Sequence, residues 1–357
     1  MEKIDQTSVE ALKWLRFVLN PDTTMPTVSD WSALMAFAEK QALIGIFLPE
    51  KCPENLPKDL LLQWIGQVQL IEQQNELLNK RIEQLFGMLE KDGFQCCLLK
   101  GQGNTSMYPN PLRRCPGDID VWIDTDEQTV LKYVEERFPE TTKSYKHVKF
   151  PVFNDVPVDV HTTPLKFYCP KYHKRLQRWI HENKKEQFEH IIHLKGIEKE
   201  IKVPTAKFNV IYQLGHMLIH LFDEGVGLRH FVDYFYVLKG LNLSEKEHGE
   251  IIDTLSNLGM MCFAKAVMWI ESNILGLPVV YCIVTPDERR GKQLLVDVLD
   301  GGNFGKYSQR YKGKSGFYWR GIIEARRLFS LLSFAPCETA FCLFRKIKTA
   351  VRYICKA

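Results

Sequence analysis

Hydrophobic positions recur at intervals of three and four through both ends of the chain, a spacing that predicts amphipathic helices. Before residue 92 the segments with this spacing are 11–19, 31–47 and 58–91. After Pro170 they are 207–222, 228–238, 246–275, 286–300 and 320–355. The chain has no internal repeat and no low-complexity segment, so we expect ordinary globular helical regions at both ends.

The stretch between these regions carries short apolar runs bounded by glycines, prolines and acidic turns, a pattern typical of buried strands. The predicted strands are 94–99, 118–123, 147–153, 156–161 and 197–204, with a helix at 129–138. Glycines and prolines break any periodicity over 100–117, and we expect one long connection there without a sustained element. The fold is therefore predicted to be α+β, with a helical region at 1–92, an α/β core at 93–203 and a helical region at 204–357.

The composition fits this picture. The chain has 357 residues with an ordinary balance of apolar and charged types, enough to bury a core shared by two or three packed subdomains. Its N-terminus, MEKIDQTSVE, precedes no continuous apolar run, which indicates neither a secretory signal nor a membrane span. The ten cysteines are scattered without a CxxC pair, as expected for reduced thiols. We therefore expect a cytoplasmic protein.

The net charge is only +4, but the C-terminal end is strongly basic. From Asn303 onward the only acids are Glu324 and Glu338. The bases over the same stretch are Lys306, Arg310, Lys312, Lys314, Arg320, Arg326, Arg327, Arg345, Lys346, Lys348, Arg352 and Lys356. A basic end could contact a nucleic acid, a membrane surface or nucleotide phosphates, whereas solvated helix faces are the commoner explanation. A nucleic-acid partner is left open but is not favoured.

Three aspartates stand at strand positions where a metal ion is the simplest explanation for them. Residues two apart on a strand share a face, so Asp118 and Asp120 project together, and so do Asp159 and His161 on the later strand. Neighbouring carboxylates repel one another unless a cation or a proton lies between them, and hard divalent ions take oxygen ligands. The three aspartates are therefore predicted to hold one or two Mg²⁺ or Mn²⁺ ions.

The loop before the first two aspartates supplies groups that can hold phosphates. Gly101 and Gly103 allow backbone N–H groups to approach a triphosphate closely, and Lys100 offers a positive charge. Arg113 and Arg114 can fork onto phosphate oxygens. Two metal ions about 4 Å apart are the usual device for in-line nucleotidyl transfer. Each feature alone also fits a turn or a solvated pair, and it is their order along the chain that predicts transfer from a nucleoside triphosphate.

Two segments, LLKGQGNTSMYPNPLRRCPGDIDVWI and VPVDVH, together resemble the uncharacterised bacterial nucleotidyltransferase family of the DNA polymerase β superfamily. Members carry an L-K-G, Tyr-Pro, Arg, D-[IL]-D core and a later V-D-[LV]-H strand. The resemblance extends more weakly to AEKQALIGIF, HLFDEGVGLRHFVDYFYVL and DGGNFG. It implies a polymerase β-like core, a small mixed sheet with helices, in which Asp118 and Asp120 bind metal. Asp159 is then the third carboxylate, and the nucleotide phosphates lie at Lys100-Gly101.

This sequence departs from the wider superfamily in the loop. The common signature has Gly-Ser or Gly-Gly closely followed by the carboxylate pair, whereas here Gly101 is followed by Gln102 and a longer connection. Ser106 is the candidate for the missing hydroxyl. The acceptor is not identified, and a small molecule, a sugar, a protein side chain and an RNA end all stay open, as does the choice between ATP and another nucleotide.

Further pairs lie in the predicted C-terminal helices. His216 and His220 have the spacing of a metal-binding face but lack the Glu of an HExxH motif, so hydrogen-bonded, partly buried histidines are favoured. Arg229 and Asp233 are expected to form a helical ion pair. Because the resemblance includes this block, a second hypothesis places His220, Arg229 or Asp233 on the acceptor side of a cleft. The glycines of 300–305 are expected to end a helix rather than to form a phosphate nest.

Other functions compete with this interpretation. Metal-dependent glycosyltransferases and dehalogenase-type phosphatases place such an aspartate motif at the end of an apolar strand, whereas here the apolar stretch follows Asp118. An inactive nucleotidyltransferase fold that binds or regulates a partner is the alternative from another class. The presence of all three carboxylates favours activity.

Overall fold

The computed structural model describes residues 4–49, 52–144, 147–308, 310 and 317–354. Of the predicted basic end, Lys312, Lys314 and Lys356 lie outside the described residues, as does residue 355 of the predicted last helix. The described chain has helices at both ends and two small sheets between them, so the expected α+β class is confirmed.

Four helices precede the first sheet: α1 (Gln6–Leu19), α2 (Trp31–Lys40), α3 (Ile44–Phe47) and α4 (Lys58–Lys91). Asp5 and Asp30 begin the first two helices, because each carboxylate accepts a hydrogen bond from the backbone N–H three residues later. The single helix predicted over 31–47 is wrong, since the chain turns at Ala42, where φ is +55°. α4 begins and ends where predicted, and Gly93 with φ of +86° follows it.

Six strands form the two sheets: β1 (Cys96–Leu99), β2 (Ile119–Ile123), β3 (Val148–Lys149), β4 (Val158–His161), β5 (Ile191–His193) and β6 (Glu200–Lys202). The first sheet has the order β1-β2-β4-β3, with β2 antiparallel to β1 and parallel to β4. β5 pairs with β6, which lies within the strand predicted at 197–204. The strand predicted at 147–153 is shorter, because Pro151 has no N–H with which to continue the ladder.

The two central strands of the first sheet have one apolar face and one face that carries carboxylates. The residues that pack against α4 and α5 (Glu127–Arg137) in one buried cluster are Ile119, Val121, Val158 and Val160. Because side chains alternate along a strand, Asp120 and Asp159 point to the opposite face. This is the alternation that the sequence predicted.

The connection from 100 to 117 is more regular than expected, since it contains two 3₁₀ helices, Gly101–Met107 and Pro111–Arg113. Asn75 of α4 holds the second of these in place. Its amide Nδ2 donates to the carbonyl oxygens of Leu112 at 2.6 Å and Arg114 at 2.8 Å. The predicted absence of a sustained element is therefore wrong, and the loop is fixed against α4.

The C-terminal part consists of α6 (Pro170–Gln187), α7 (Ala206–Asp223), α8 (Leu228–Lys239), α9 (Glu245–Asn257), α10 (Met261–Trp269), α11 (Glu288–Gly301), α12 (Phe317–Leu331) and α13 (Pro336–Ile354). A π-helical turn, Ile270–Ile274, continues α10. The helix predicted over 246–275 is broken at Gly259, where a Cβ would lie 2.6 Å from the ring of Tyr172. One buried apolar cluster runs from α1 to α13, so the N-terminal and C-terminal helices share a core.

Among the described residues, no single helix is both long and apolar enough to cross a membrane. By length and composition alone one helix pair could, 245–257 with 261–274, but the two halves are bent by 119°.

Glu271 in the π-helical turn gives a testable prediction about stability. Its side chain is fully buried, and neither carboxylate oxygen has a hydrogen-bond partner among the described residues. Burial raises the pKa of Glu271 well above its ordinary value of 4.5. The folded protein therefore keeps a proton that the unfolded chain releases above about pH 4.5, and this contribution to stability is lost as the pH rises.

We expect Glu271→Gln to remove this dependence on pH. The unfolding free energy of the variant minus that of the wild type should rise with pH by up to about 1.4 kcal/mol per unit between pH 5 and 7. Urea denaturation of both proteins at several pH values measures the difference. A difference that does not change with pH would mean that the carboxylate is ionised in the folded protein.

Candidate functional site

A cavity of about 650 Å³ lies against the carboxylate-bearing face of the first sheet, within the size range of small-molecule sites. We call one side the sheet wall, formed by Lys100, Gly101, Asp118, Asp120, Asp159 and His161. We call the other side the helical wall, formed by α7, α8 and the turn after α11 through His216, His220, Arg229, His230, Phe304 and Lys306. The cavity therefore lies between the small sheet and the C-terminal helices.

The three predicted metal ligands meet on the sheet wall. Asp120 and Asp159 are direct neighbours in the parallel pairing of β2 with β4, and Asp118 immediately precedes β2. One oxygen atom from each carboxylate lies within 4.8 Å of the other two. Asp118 is exposed, while the other two are buried. In the part of the chain that the structure describes, no other group of three His, Cys, Asp or Glu residues could hold a metal ion.

Asp120 is held between a lysine and a histidine. Its Oδ2 lies 2.6 Å from Nζ of Lys100, and its Oδ1 lies 2.8 Å from Nε2 of His161. Burial acts to raise the pKa of Asp120, but the charge of Lys100 and the hydrogen bond from His161 outweigh it and keep the pKa well below its ordinary value. Asp120 is therefore an anion at neutral pH.

Asp159 contacts a lysine and a histidine that the sequence did not predict. Nζ of Lys149 lies 2.7 Å from Oδ1, and Nε2 of His147 lies 3.3 Å from Oδ2. Lys149 is the direct partner of Asp159 in the antiparallel pairing of β3 with β4. Burial lowers the pKa of His147, although Asp159 acts in the other direction. Lys149 and Asp159 carry opposite charges on the neighbouring short strands β3 and β4, and this pattern could have predicted the contact from the sequence.

Lys100 reaches Asp120 from an unusual backbone conformation. It has φ of +34° and ψ of −155°, and Gly101 after it has φ of +47°. A non-glycine residue in this region is strained, and such strain is found at functional sites more often than elsewhere. Burial acts to lower the pKa of Lys100, whereas Asp120 and Asp118 act to raise it and prevail. The lysine is therefore a fixed cation on the sheet wall.

Three residues that the sequence suggested near the phosphates do not line the cavity. Gly103 is buried in the first 3₁₀ helix, where a Cβ would lie 3.1 Å from the carbonyl oxygen of Leu98, so the position is needed for close packing. Ser106 is exposed outside the cavity. Arg113 donates from Nε to Oε1 of Glu72 at 3.0 Å. The structure thus brings Lys100 and Gly101 to the aspartates but not these three.

Arg114 lines the cavity but is already bound to an acid. Its Nε and Nη2 donate to the two carboxylate oxygens of Asp233 at 2.7 and 2.8 Å, and both side chains are buried. The hydroxyl of Tyr108 donates to the same carboxylate. The expected ion pair within α8 between Arg229 and Asp233 is therefore wrong. Arg114 serves as a bidentate partner that ties the loop to α8.

The histidines of the helical wall form a cluster. Nε2 of His220 lies 3.0 Å from Nε2 of His216, and the ring of His230 lies 6.0 Å from that of His220. This agrees with the favoured prediction of hydrogen-bonded, partly buried histidines. His230 was missed, because it belongs to another helix and has no spacing relation to the first two.

The glycine-rich segment 300–305 ends α11, as predicted, since Gly302 with φ of +63° follows the last helical residue. It also carries Phe304 into the cavity, which the sequence did not predict. Phe304 has φ of +55°, and its ring lies 5.4 Å from that of His220 and 5.2 Å from that of His230. Phe304, a non-glycine residue in a left-handed turn, thus adds an aromatic ring to the lining of the cavity.

The donor set fits a hard divalent cation. The three aspartates offer only oxygen ligands from two adjacent strands, which is the chemistry that Mg²⁺ and Mn²⁺ require. His161 contacts the carboxylate oxygen of Asp120 that Lys100 does not contact, and so can orient that carboxylate as an outer partner. Lys100 and Lys149 already contact two of the carboxylates, and a bound ion would share these oxygens or displace the lysines.

Comparisons with known proteins indicate a family for the chain. A family model described as an uncharacterised nucleotidyltransferase matches residues 27–276, more than two thirds of the chain and all three aspartates. A solved structure of an antigenic nucleotidyltransferase-like protein from Paracoccidioides brasiliensis is similar over 57% of this chain and 95% of that chain. The sequence identity is 12% and the TM-score 0.34, so the structural similarity is weak. No curated protein matches the chain.

We expect the folded protein to lose much stability when the buried ion pair between Arg114 and Asp233 is broken. In Asp233→Asn, the guanidinium of Arg114 loses its counter-charge in a buried site, and we expect the unfolding free energy to fall by about 3–5 kcal/mol. Glu72→Gln breaks the partly exposed pair with Arg113 and should cost at most about 1 kcal/mol. Chemical denaturation measures both. An equal loss of unfolding free energy in the two variants would show that burial does not determine the strength of the pair between Arg114 and Asp233.

Proposed function

We propose that this chain, which belongs to the uncharacterised nucleotidyltransferase family, transfers a nucleoside monophosphate from a nucleoside triphosphate to a hydroxyl acceptor in a metal-dependent reaction. The observation that carries the proposal is the convergence of three carboxylates beside a lysine–glycine turn in a cavity of suitable size. Family membership supports nucleotidyl transfer at the level of reaction class.

Asp118, Asp120 and Asp159 would hold the Mg²⁺ or Mn²⁺ ions. A divalent ion at such a site lowers the pKa of a hydroxyl nucleophile and neutralises charge on the leaving pyrophosphate. Lys100 and the backbone of Gly101 lie next to the carboxylates and hold the phosphates of the nucleotide. His161 orients Asp120, since it contacts the carboxylate from the side of β4.

The transfer itself exchanges one phosphorus–oxygen bond for another. The acceptor oxygen forms a bond to the α-phosphorus while the bond from that phosphorus to the bridging oxygen breaks, and pyrophosphate leaves. The hydroxyl proton passes to Asp159, which Lys149 and His147 hold in position. The protein thus positions the two substrates and balances their charge, which is most of what this reaction needs.

One observation favours a second candidate, an inactive fold that binds a partner. Lys100 at 2.6 Å from Asp120 and Lys149 at 2.7 Å from Asp159 neutralise the buried carboxylates without any metal. A site balanced by lysines alone would keep the fold without catalysis. A glycosyltransferase is less well supported, because Asp118 and Asp120 stand at the start of β2 rather than at its end.

Substitution of Asp120 tests the proposed function. The purified protein should bind at least one of ATP, GTP, CTP and UTP in the presence of Mg²⁺ or Mn²⁺, measured by calorimetry. It should release pyrophosphate when cell extract supplies the acceptor. Asp120→Asn removes a charged ligand, and we expect pyrophosphate release to fall by at least about 100-fold.

Asp124→Asn is the matched control. Asp124 follows the same strand and contacts Lys184 at 2.6 Å, but it does not line the cavity. It should leave binding and release unchanged. Nucleotide binding without release in the wild type would favour the inactive fold, and equal behaviour of Asp120→Asn and the wild type would refute the proposal.

Lys100→Met separates the two contacts proposed for this lysine. Without the ammonium group, Asp120 is free for a metal ion, so the affinity for Mn²⁺ in the absence of nucleotide should rise. The affinity for the metal–nucleotide complex should fall by about tenfold, because a charged contact to phosphate is lost. Electron paramagnetic resonance of Mn²⁺ and calorimetry measure the two quantities. An unchanged nucleotide affinity would remove Lys100 from the phosphate site.

A further inference from the structure

Arg229 on the helical wall is a buried cation without an acid. Its side chain lines the cavity, and the residue is only 8% exposed. Among the described residues no carboxylate lies within 4.0 Å of it, and its Nε has no hydrogen-bond partner. Its Nη1 only approaches the carbonyl oxygens of Cys115 and Pro116, both at 3.5 Å. A buried guanidinium left in this state is costly, so an anionic ligand is the natural partner.

The other buried or half-buried cations of the cavity differ from Arg229 in this respect. Lys100 contacts Asp120, Lys149 contacts Asp159, and Arg114 contacts Asp233. The acid that α8 offers at the right spacing for Arg229 is Asp233, and Arg114 occupies both of its oxygens. The packing of α8 therefore leaves the positive charge of Arg229 without a carboxylate in contact within the described part of the chain.

Lys306 and the first turn of α8 add to the positive character of the helical wall, whereas Phe304 and His230 are uncharged neighbours of Arg229. Lys306, an exposed residue, also lines the cavity and forms no ion pair among the described residues. Arg229 also lies in the first turn of α8, where the backbone N–H of Leu228 already donates to Oε1 of Gln41 at 2.9 Å and the helix dipole adds partial positive charge. The ring of Phe304 lies 5.4 Å from the guanidinium and shields it from solvent on one side. His230 is neutral, because burial and the charge of Arg229 lower its pKa well below the ordinary value.

The turn that supplies Phe304 and Lys306 is positioned by very close backbone contacts. A Cβ on Gly227 would lie 2.8 Å from Cα of Asn303, and a Cβ on Gly305 would lie 2.0 Å from the carbonyl oxygen of Glu224. The turn is therefore pressed against the corner between α7 and α8 that carries Arg229. Two segments distant in sequence thus form one fixed pocket.

From this arrangement we infer that Arg229, with Lys306 and Phe304, forms a subsite for the phosphate group of the acceptor, which makes the acceptor a phosphorylated hydroxyl compound. The inference rests on the proposed function. Two cations, Arg229 and Lys306, line this wall, which suits a phosphate dianion better than a carboxylate. Lys100 and Gly101 hold the nucleotide on the sheet wall, so the helical wall is the side from which an acceptor can approach in line.

Inorganic phosphate is the first probe, used without metal and without nucleotide. Calorimetry should detect phosphate binding to the wild-type protein and much weaker binding of acetate. Arg229→Gln should weaken phosphate binding by at least about tenfold, and Arg229→Lys by less, since it keeps the charge but not the fork. Arg113→Gln, which removes an arginine outside the cavity, should have no effect. Undiminished binding to Arg229→Gln, or stronger binding of acetate, would overturn the inference.

A second measurement does not depend on the folding of any variant. In the wild-type protein, phosphate should slow backbone hydrogen exchange over residues 225–230 and 302–306. Exchange that slows only around residues 100–120 would place the anion on the sheet wall and refute the inference.

The third measurement separates the acceptor from the nucleotide. A non-hydrolysable nucleotide analogue with Mg²⁺ is bound first, and phosphate is then titrated. Binding of both together supports an acceptor subsite, whereas mutual exclusion would show that Arg229 contacts the nucleotide and would overturn the inference. Asp120→Asn should still bind phosphate, so failure of the proposed function and failure of the anion subsite give different results.

Discussion

The parallel pairing of β2 with β4 sets Asp120 directly beside Asp159, and much of the surrounding structure compensates for this juxtaposition of charge. Two buried carboxylates on adjacent strands repel each other and lose hydration, so the fold needs cations close by. Lys100 reaches Asp120 from the end of β1, and Lys149 reaches Asp159 from β3. The order of the strands therefore brings a lysine to each side of the acidic pair, and sheet topology and electrostatics reinforce each other.

The proposed function would give the site two states of charge balance. With no ligand bound, the lysines neutralise the carboxylates, and Lys100 holds a left-handed backbone conformation while it does so. In the proposed function, a metal ion would be a new partner for the carboxylates, and Lys100 would then turn to the phosphate oxygens. In the proposed reaction the same side chain would stabilise the fold in one state and bind phosphate in the other, and strained backbone of this kind is found at functional sites more often than elsewhere.

The parts of this structure that follow local rules could be predicted from the sequence. The 34-residue helix α4 has an unbroken apolar spacing, and the alternation in DIDVWI and VPVDVH places the three aspartates on one face. What could not be predicted depends on contacts between distant segments. Asp233 has Arg229 one helical turn away, yet it pairs with Arg114, because tertiary packing offers a bidentate partner in a buried site. Phe304 likewise enters the cavity through a turn whose position depends on glycines at 225 and 227.

Helix α8 connects these distant segments. Asp233 holds the loop before β2 through Arg114, and the backbone N–H of Leu228 donates to Oε1 of Gln41 from the N-terminal helices at 2.9 Å. At the same end, Gly227 admits the turn after α11. Because the one acid that α8 presents to the cavity is used to hold the loop, Arg229 is left with its charge directed into the cavity. The ion pair between Arg114 and Asp233 thus fixes the loop before Asp118 and also leaves Arg229 without Asp233 as a partner. The stability of α8 and the positive charge of the helical wall therefore depend on the same ion pair.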